Sequence, residues 1–169
     1  DSQKIPASID IRTILQKLRL NKDYSVIVDK ILEKETFSPR QGNKDDPAHP
    51  AIHPTGEKPK NIKGNYKKIY DLIVKRFLSC LSEPAKVSKT IMEVDVEGFL
   101  FYIRGSETIR RGWMDFYEPY VRQKEVLLPG LEENMDILLT KLGTRRHYTN
   151  APNRFNASSI LRYMENKNI

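Results

Sequence analysis

Residues 91–104 read IMEVDVEGFLFYIR, and this stretch decides the fold class. Met92, Val94 and Val96 alternate with Glu93 and Asp95, the period of two expected for a strand with one covered face. Glu97-Gly98 supplies a two-residue turn and FLFYIR resumes as a second strand, so the stretch is predicted to be a β-hairpin. Before about Lys86 the apolar period is 3.6 rather than 2. The chain is therefore α+β, with a helical segment over 1–84 followed by a β-rich segment over 85–145. In that second segment Gly105 and Gly112 act as punctuation, Trp113 is assigned to the β-rich core, and MDILLTKL at 135–142 is a further strand candidate.

Working back toward the start, Ser8 and Asp10 are alternative N-caps for a helix bearing Ile11, Ile14, Leu15 and Leu18 at i, i+3, i+4, i+7, with Asn21 as its stop. A second helix is expected over 25–34, with Val28, Ile31 and Leu32 on one face. NYKKIYDLIVKRFLSCL, residues 65–81, is the clearest helix, with Tyr66, Ile69, Tyr70, Ile73 and Phe77 as its apolar stripe. Tyr66 and Tyr70 either stack on bases or pack in the core, and helical spacing favours packing. Beyond the hairpin, 146–169 ends in a helix capped at Asn156 with Ile160, Leu161 and Met164 in its stripe. A chain that ends on a helix just begun is expected to be part of something larger.

Between the second and third helices lies a loop of some 28 residues, far longer than an ordinary connection, and such loops usually carry function. Its centre, DDPAHPAIHPTGEKP at 45–59, holds four prolines, two of the three histidines and a glycine. Proline removes backbone donors and pushes the preceding residue out of the α region, so His49 and His53 sit on extended, turn-punctuated chain. Zinc would suit histidines at i, i+4 only on a helix. With Cys80 the sole cysteine and no CxxC partner, neither a metal site nor an internal disulfide is expected.

The 169 residues carry 29 Lys and Arg against 22 Asp and Glu, a net +7 that favours polyanionic partners. Seven of the basic residues (Lys58, Lys60, Lys63, Lys67, Lys68, Lys75, Arg76) crowd between Gly56 and Arg76 against only Glu57 and Asp71. These lysines either follow a nucleic-acid backbone or form a solvated face. No apolar run approaches the roughly 18 residues of a membrane span and the start shows no signal pattern, so no membrane contact and a cytoplasmic, nucleoid-associated location are expected.

AHPAIHPTG at 48–56 resembles the A-H-E-A-I-R-P-T segment of type IA DNA topoisomerases. Asp1-Ser2 is similar to the end of that family's Y-x-R-T-D-S motif, and IYDLIVKRFLSCL at 69–81 to the helix after its histidine loop. TNAPNRF at 149–155 with the following ASSILRYMENKNI resembles its T-x-P-P-x-R-Y/F stretch and next helix. Pro50 and His53 stand where the family has glutamate and arginine, as in an archaeal-type topoisomerase I/III. The resemblance implies an enzyme that cuts one DNA strand through a tyrosine, forming a 5′-phosphotyrosine, passes another strand and reseals. The tyrosine would lie four positions before Asp1, and a magnesium-binding acidic domain further upstream. Mg2+ is thus implied for the whole enzyme, whereas the 169 residues by themselves are expected to be inactive and monomeric.

On this reading 1–84 is part of the tyrosine-bearing domain, 85–145 part of a β-rich arch or gate, and 146–169 the return to the DNA-binding base. His49 matches the family histidine near the scissile phosphate and is the catalytic candidate. Asp1, Ser2, His49, His53, Lys58, Lys60 and Arg154 are the DNA-binding candidates, the partners being single-stranded DNA and the remaining domains of the parent. Arg154 either contacts DNA or makes an inter-domain ion pair. Two alternatives are a non-catalytic basic nucleic-acid-binding module and one subunit of a split topoisomerase. An arch that binds only protein fits the charge least.

Overall fold

In the computed structural model, which describes residues 3–46 and 48–169, the first helix begins where a carboxylate can cap it. α1 spans Ile11–Arg19, and Asp10 accepts from the Thr13 backbone N–H at 3.1 Å and from the Thr13 hydroxyl at 2.6 Å. Those bonds hold the Asp10 carboxyl below its usual range, and they settle the choice between Ser8 and Asp10. After Leu20 a turn through Asn21, whose carbonyl accepts from Tyr24 at 2.9 Å, leads to α2, Ser25–Leu32, slightly shorter than expected.

α3 runs Gly64–Cys80. It packs on α1 and α2 through a core of Ile14, Leu15, Leu18, Tyr24, Val28, Ile31, Val74, Phe77, Leu78 and Leu81. Complete burial of six or so such side chains, at about 1.5–3 kcal/mol each, dominates the stability of this layer. The buried stripe of α3 differs from the predicted one: Tyr66 is 77% and Ile69 54% exposed, while Val74 and Leu78 are fully buried. α3 has apolar residues on two overlapping faces, and its buried residues, Val74, Phe77, Leu78 and Ser79, all lie in its C-terminal half.

The hairpin forms as read. β1, Lys86–Val96, pairs antiparallel with β2, Phe99–Arg110, in a register that sets Met92 against Ile103, Val94 against Phe101 and Val96 against Phe99. Glu97 and Gly98 both have positive φ, 53° and 87°, the type I′ geometry whose twist matches the strands, and the Gly98 N–H donates to Asp95 at 2.7 Å. Met92, Val94, Val96, Phe99, Phe101 and Ile103 share one face, along which Phe99 is 73% exposed. Gly105 does not punctuate the chain. It lies inside β2, buried, where a Cβ would meet the Leu128 side chain at 2.5 Å, because residues 126–128 cross β2 and bond Ser106 to Val126 in both directions.

Past β2, Gly112 (φ 52°) turns the chain back into α4, Met114–Tyr117, which packs on α3 with Met114 buried. Trp113 therefore sits half-buried at the α3–α4 layer, its ring 5.9 Å from that of Tyr117, rather than in a β core. Tyr117 in turn lies 5.6 Å from Tyr120 and under the guanidinium of Arg76. The Tyr120 hydroxyl donates to Asp71 at 2.7 Å, Tyr24 donates to the other Asp71 oxygen at 3.0 Å, and Lys75 lies 3.2 Å from Asp71. This half-buried network ties the return leg of the hairpin to the helical layer.

Residues 131–169 form a separate unit. MDILLTKL at 135–142 is exposed irregular chain, with Leu138 88% exposed, and not the expected strand. Its apolar residues run consecutively, without the alternation or the partner strand that would satisfy extended backbone. α5, Ala157–Lys167, carries a full capping box: Asn156 accepts from the Ser159 N–H, and the Ser159 hydroxyl accepts from the Asn156 N–H, each at 2.8 Å. Ile160, Leu161 and Met164 lie along its side, as the sequence predicts, and all remain exposed.

Candidate nucleic-acid interface

The histidine loop is irregular yet well anchored. Residues 3–5 run between two parts of it: Lys4 N–H donates to Lys44 at 2.8 Å, Gly42 N–H to Gln3 at 3.2 Å and Ala51 N–H to Lys4 at 3.1 Å, while Ile5 N–H meets the Gln41 side chain at 2.7 Å. The chain just after the Asp1-Ser2 motif is thus stitched to residues 41–44 on one side and to Ala51 on the other. Asp1 and Ser2 themselves lie outside the described residues. Further on, Gly56 (φ 84°) brings the loop against α1, so close that a Cβ there would sit 2.9 Å from that of Lys17. Lys17 pairs with Glu57 at 2.6 Å and the Tyr70 hydroxyl donates to the Glu57 carbonyl at 3.2 Å, which pins the loop to both α1 and α3.

Within this frame Asp46 organises a tight turn. Its carboxylate accepts from the Ala48 N–H at 3.0 Å and, through the other oxygen, meets His49 Nδ1 at 2.8 Å, while its carbonyl accepts from the His49 N–H at 3.1 Å. The imidazole partner first, and the Ala48 N–H second, hold the Asp46 carboxyl below its usual range. A carboxylate only accepts, so Nδ1 carries the proton, and among the described residues no hydrogen bond engages Nε2. The His49 side chain is 79% exposed, so its outward nitrogen is presented to solvent on a braced ring.

His53 has a different environment. Its Nδ1 donates to the Ala51 carbonyl at 2.8 Å and the ring is half-buried. Lys58 and Lys60 are exposed past Gly56, and Lys63 and Lys67 are exposed at the start of α3. Arg154 is exposed ahead of α5 in the unit 131–169, apart from the histidine loop's own unit. Among the described residues no three His, Cys, Asp or Glu side chains gather closely enough to hold a metal ion.

Two features of the site go beyond the sequence reading. Asp46 stands in a D-x-x-H run ahead of a proline, the spacing at which an Asx turn can grip the following ring. An open cleft of about 1010 Å³ at the C-terminal end of α3, lined by residues including Arg40, Arg76, Cys80 and Trp113, joins positions far apart in the chain, and no local pattern foretells it.

An exposed imidazole held by a carboxylate on an anchored loop, followed by a run of lysines, offers donors and charge of the kind that suit a phosphate. The whole chain, residues 1–169, matches the family described as DNA topoisomerase, and it belongs to that family. It is 33% identical to DNA topoisomerase 1 of Pyrococcus horikoshii over 98% of this chain and 24% of the relative. It is 37% identical to DNA topoisomerase 1 of Aeropyrum pernix over 100% of this chain and 25% of the relative. Human DNA topoisomerase 3-alpha is 27% identical over 97% of this chain and 16% of its own length. The archaeal-type topoisomerase I/III resemblance carried by the histidine loop is therefore borne out, and the chain spans about a quarter of the archaeal relatives it matches. Among the described residues no helix is long and apolar enough to cross a membrane.

Proposed function

We propose that these residues are the part of a type IA topoisomerase that presents His49 to a DNA phosphate beside the cleavage tyrosine and carries a piece of the gate through which a second strand passes. The braced, outward-facing His49 on a loop stitched to residues 3–5 carries this reading. Attack on a phosphodiester spreads negative charge over the phosphoryl oxygens, and a donor held in place beforehand stabilises that charge without reorganising. Asp46 supplies the holding, since a ring fixed at Nδ1 can aim only Nε2. A neighbouring phosphate favours the imidazolium, in which Nε2 also carries a proton and donates. Lys58 and Lys60 add affinity along the backbone without sequence choice.

His53, in place of the family arginine, lacks a bidentate fork and spends Nδ1 on the Ala51 carbonyl. It supports the loop first and offers DNA at most a single bond through Nε2. The hairpin, with its exposed apolar face and its return leg tied to α3, is the gate's share of this chain. Mg2+ would be held by acidic groups outside residues 1–169, where it would offset phosphate charge. On this reading the nucleophilic tyrosine also belongs to another part of the enzyme, so cleavage is not expected from residues 1–169 alone.

The test is a titration of the full 169-residue chain with a 5′-phosphorylated single-stranded oligonucleotide, followed by imidazole nitrogen NMR. The expected result is a change at His49 Nε2 that is absent with an unphosphorylated methylphosphonate oligonucleotide of the same sequence, which carries no backbone charge. A response confined to the lysines, unchanged in His49→Ala, would instead describe a non-catalytic basic module.

A further inference from the structure

The start of α3 gathers aromatic surface and positive charge on one face. Residues 63, 66, 67 and 70 are spaced i, i+3, i+4, i+7, so Lys63, Tyr66, Lys67 and Tyr70 neighbour one another along the helix. Helical spacing favours a packed Tyr66, but it is 77% exposed. Tyr70 is half-buried, its ring 6.4 Å from Tyr24, and its hydroxyl holds the Glu57 carbonyl, which brings Lys58 beside this face. Between the loop and α1 lies a groove of about 240 Å³, lined by Lys17, Leu20, Asn21, Gly56, Lys58 and Tyr70.

Charge decides what such a surface accepts. Among the described residues no ion pair engages Lys58, Lys60, Lys63 or Lys67, whereas both nearby carboxylates are occupied: Glu57 by Lys17, and Asp71 by Lys75 and two tyrosines. An uncompensated cation cluster around an exposed ring suits a polyanion with planar groups of its own. The groove is too small for a drug-sized ligand, which takes about 300 Å³ or more. A duplex would present only its backbone here, because its bases are already stacked on one another.

We propose that the Lys63–Tyr66–Lys67–Tyr70 face of α3, with Lys58 beside the groove, is a subsite for single-stranded DNA in which an unpaired base stacks on Tyr66 and its flanking phosphates lie along the lysines. The proposal rests on the reading that this chain meets DNA, and it adds a place where the strand is gripped away from His49. Lys63 and Lys67 supply charge that any sequence satisfies, and Tyr66 supplies the preference for an unpaired base.

The test is fluorescence binding of an oligothymidylate carrying one 2-aminopurine to the full 169-residue chain, across a salt series, for the parent, Tyr66→Ala, Tyr66→Phe and the Lys63→Ala/Lys67→Ala pair. The parent should quench the probe. Tyr66→Ala should weaken binding about tenfold with an unchanged salt slope, as expected for the loss of one stacked base. Tyr66→Phe should restore it. The lysine pair should lower the slope by about 1.4, at about 0.7 per phosphate contact on a single strand. Tyr66 is exposed, so Tyr66→Ala should fold as the parent does, which circular dichroism would confirm. Binding by Tyr66→Ala within twofold of the parent, or a parent preference for duplex, would overturn the subsite while leaving the His49 reading intact. A parent that binds neither form of DNA would overturn both.

Discussion

Asp71 is the residue on which three parts of the first unit converge, and its removal should be disproportionately costly. Its carboxylate accepts from Tyr24, in the α1–α2 turn and only 3% exposed, and from Tyr120, on the return leg, while Lys75 lies 3.2 Å away. Asp71→Ala strands the Tyr24 hydroxyl in the core, at about 1–3 kcal/mol, and removes a charge-assisted bond to Tyr120 that is worth about 1.5 kcal/mol net. Lys75 and Asp71 are only 18% and 22% exposed, so losing Asp71 also leaves a largely buried ammonium without its partner. The two hydroxyl losses alone come to about 2.5–4.5 kcal/mol, well above an ordinary substitution. Adding Tyr24→Phe removes the stranded hydroxyl, so the double variant should be more stable than the two single losses summed, by about 1–2 kcal/mol. Urea unfolding followed by circular dichroism reads the helical layer, and fluorescence of Trp113, the sole tryptophan, reads the return leg. The fluorescence midpoint of Asp71→Ala should fall at least as far as the dichroism midpoint. A loss below about 1 kcal/mol, or strict additivity with Tyr24→Phe, would refute the idea that Asp71 joins these elements.

The same network sets an alkaline limit. The hydrogen bond to Asp71, with a smaller contribution from burial, pushes the Tyr120 hydroxyl up to about 12 from an ordinary 10. A raised folded value means its contribution is complete below pH 10 and disappears as pH rises from 10 to about 12, so thermal melts should lose stability across that window and Tyr120→Phe should flatten the loss. At the acid end the sign reverses. Asp46 is held below its usual 3.8, so its brace on His49 is present above that value and released as pH falls through the depressed one; His49 imidazole resonances should broaden there, and Asp46→Asn should broaden them at neutral pH. Gly56→Ala should cost about 1–3 kcal/mol in a thermal melt, because φ is 84° and the new Cβ would stand 2.9 Å from that of Lys17. An unchanged melting temperature would show that the loop does not rest on α1.

Where local chemistry decided the structure, the sequence was legible. The Glu97-Gly98 turn demands positive φ at two positions and is preceded by clean alternation, so the hairpin and its register follow. Asn156 and Ser159 close a capping box within four residues, and the stripe of α1 leaves its helix no second face to bury. Legibility failed where a partner far along the chain had to choose. α3 carries apolar residues on two faces, and partners far along the chain, α4 among them, decide that Val74 and Leu78 go inside while Tyr66 stays out. MDILLTKL has the composition of a strand but lacks a neighbour to pair with. In the candidate site, the proline-rich loop identified His49 and His53 as residues on extended chain. Their unlike environments, a carboxylate for one and a carbonyl for the other, depend on turn geometry that residue type alone does not encode. The Asp71 network joins residues 47 and 49 positions apart, beyond any local pattern.

The most direct test of the central claim is strand cleavage measured on a polypeptide in which residues 1–169 replace the matching quarter of the Pyrococcus horikoshii relative. Single-turnover cleavage of single-stranded DNA would be compared for the parent sequence, His49→Ala and Asp46→Asn. The account predicts a fall in cleavage rate of about 100-fold for His49→Ala, the scale of losing one preorganised donor at a charged transition state, and a smaller fall for Asp46→Asn, with DNA affinity changed less than rate in both. Cleavage by His49→Ala within about twofold of the parent would contradict it.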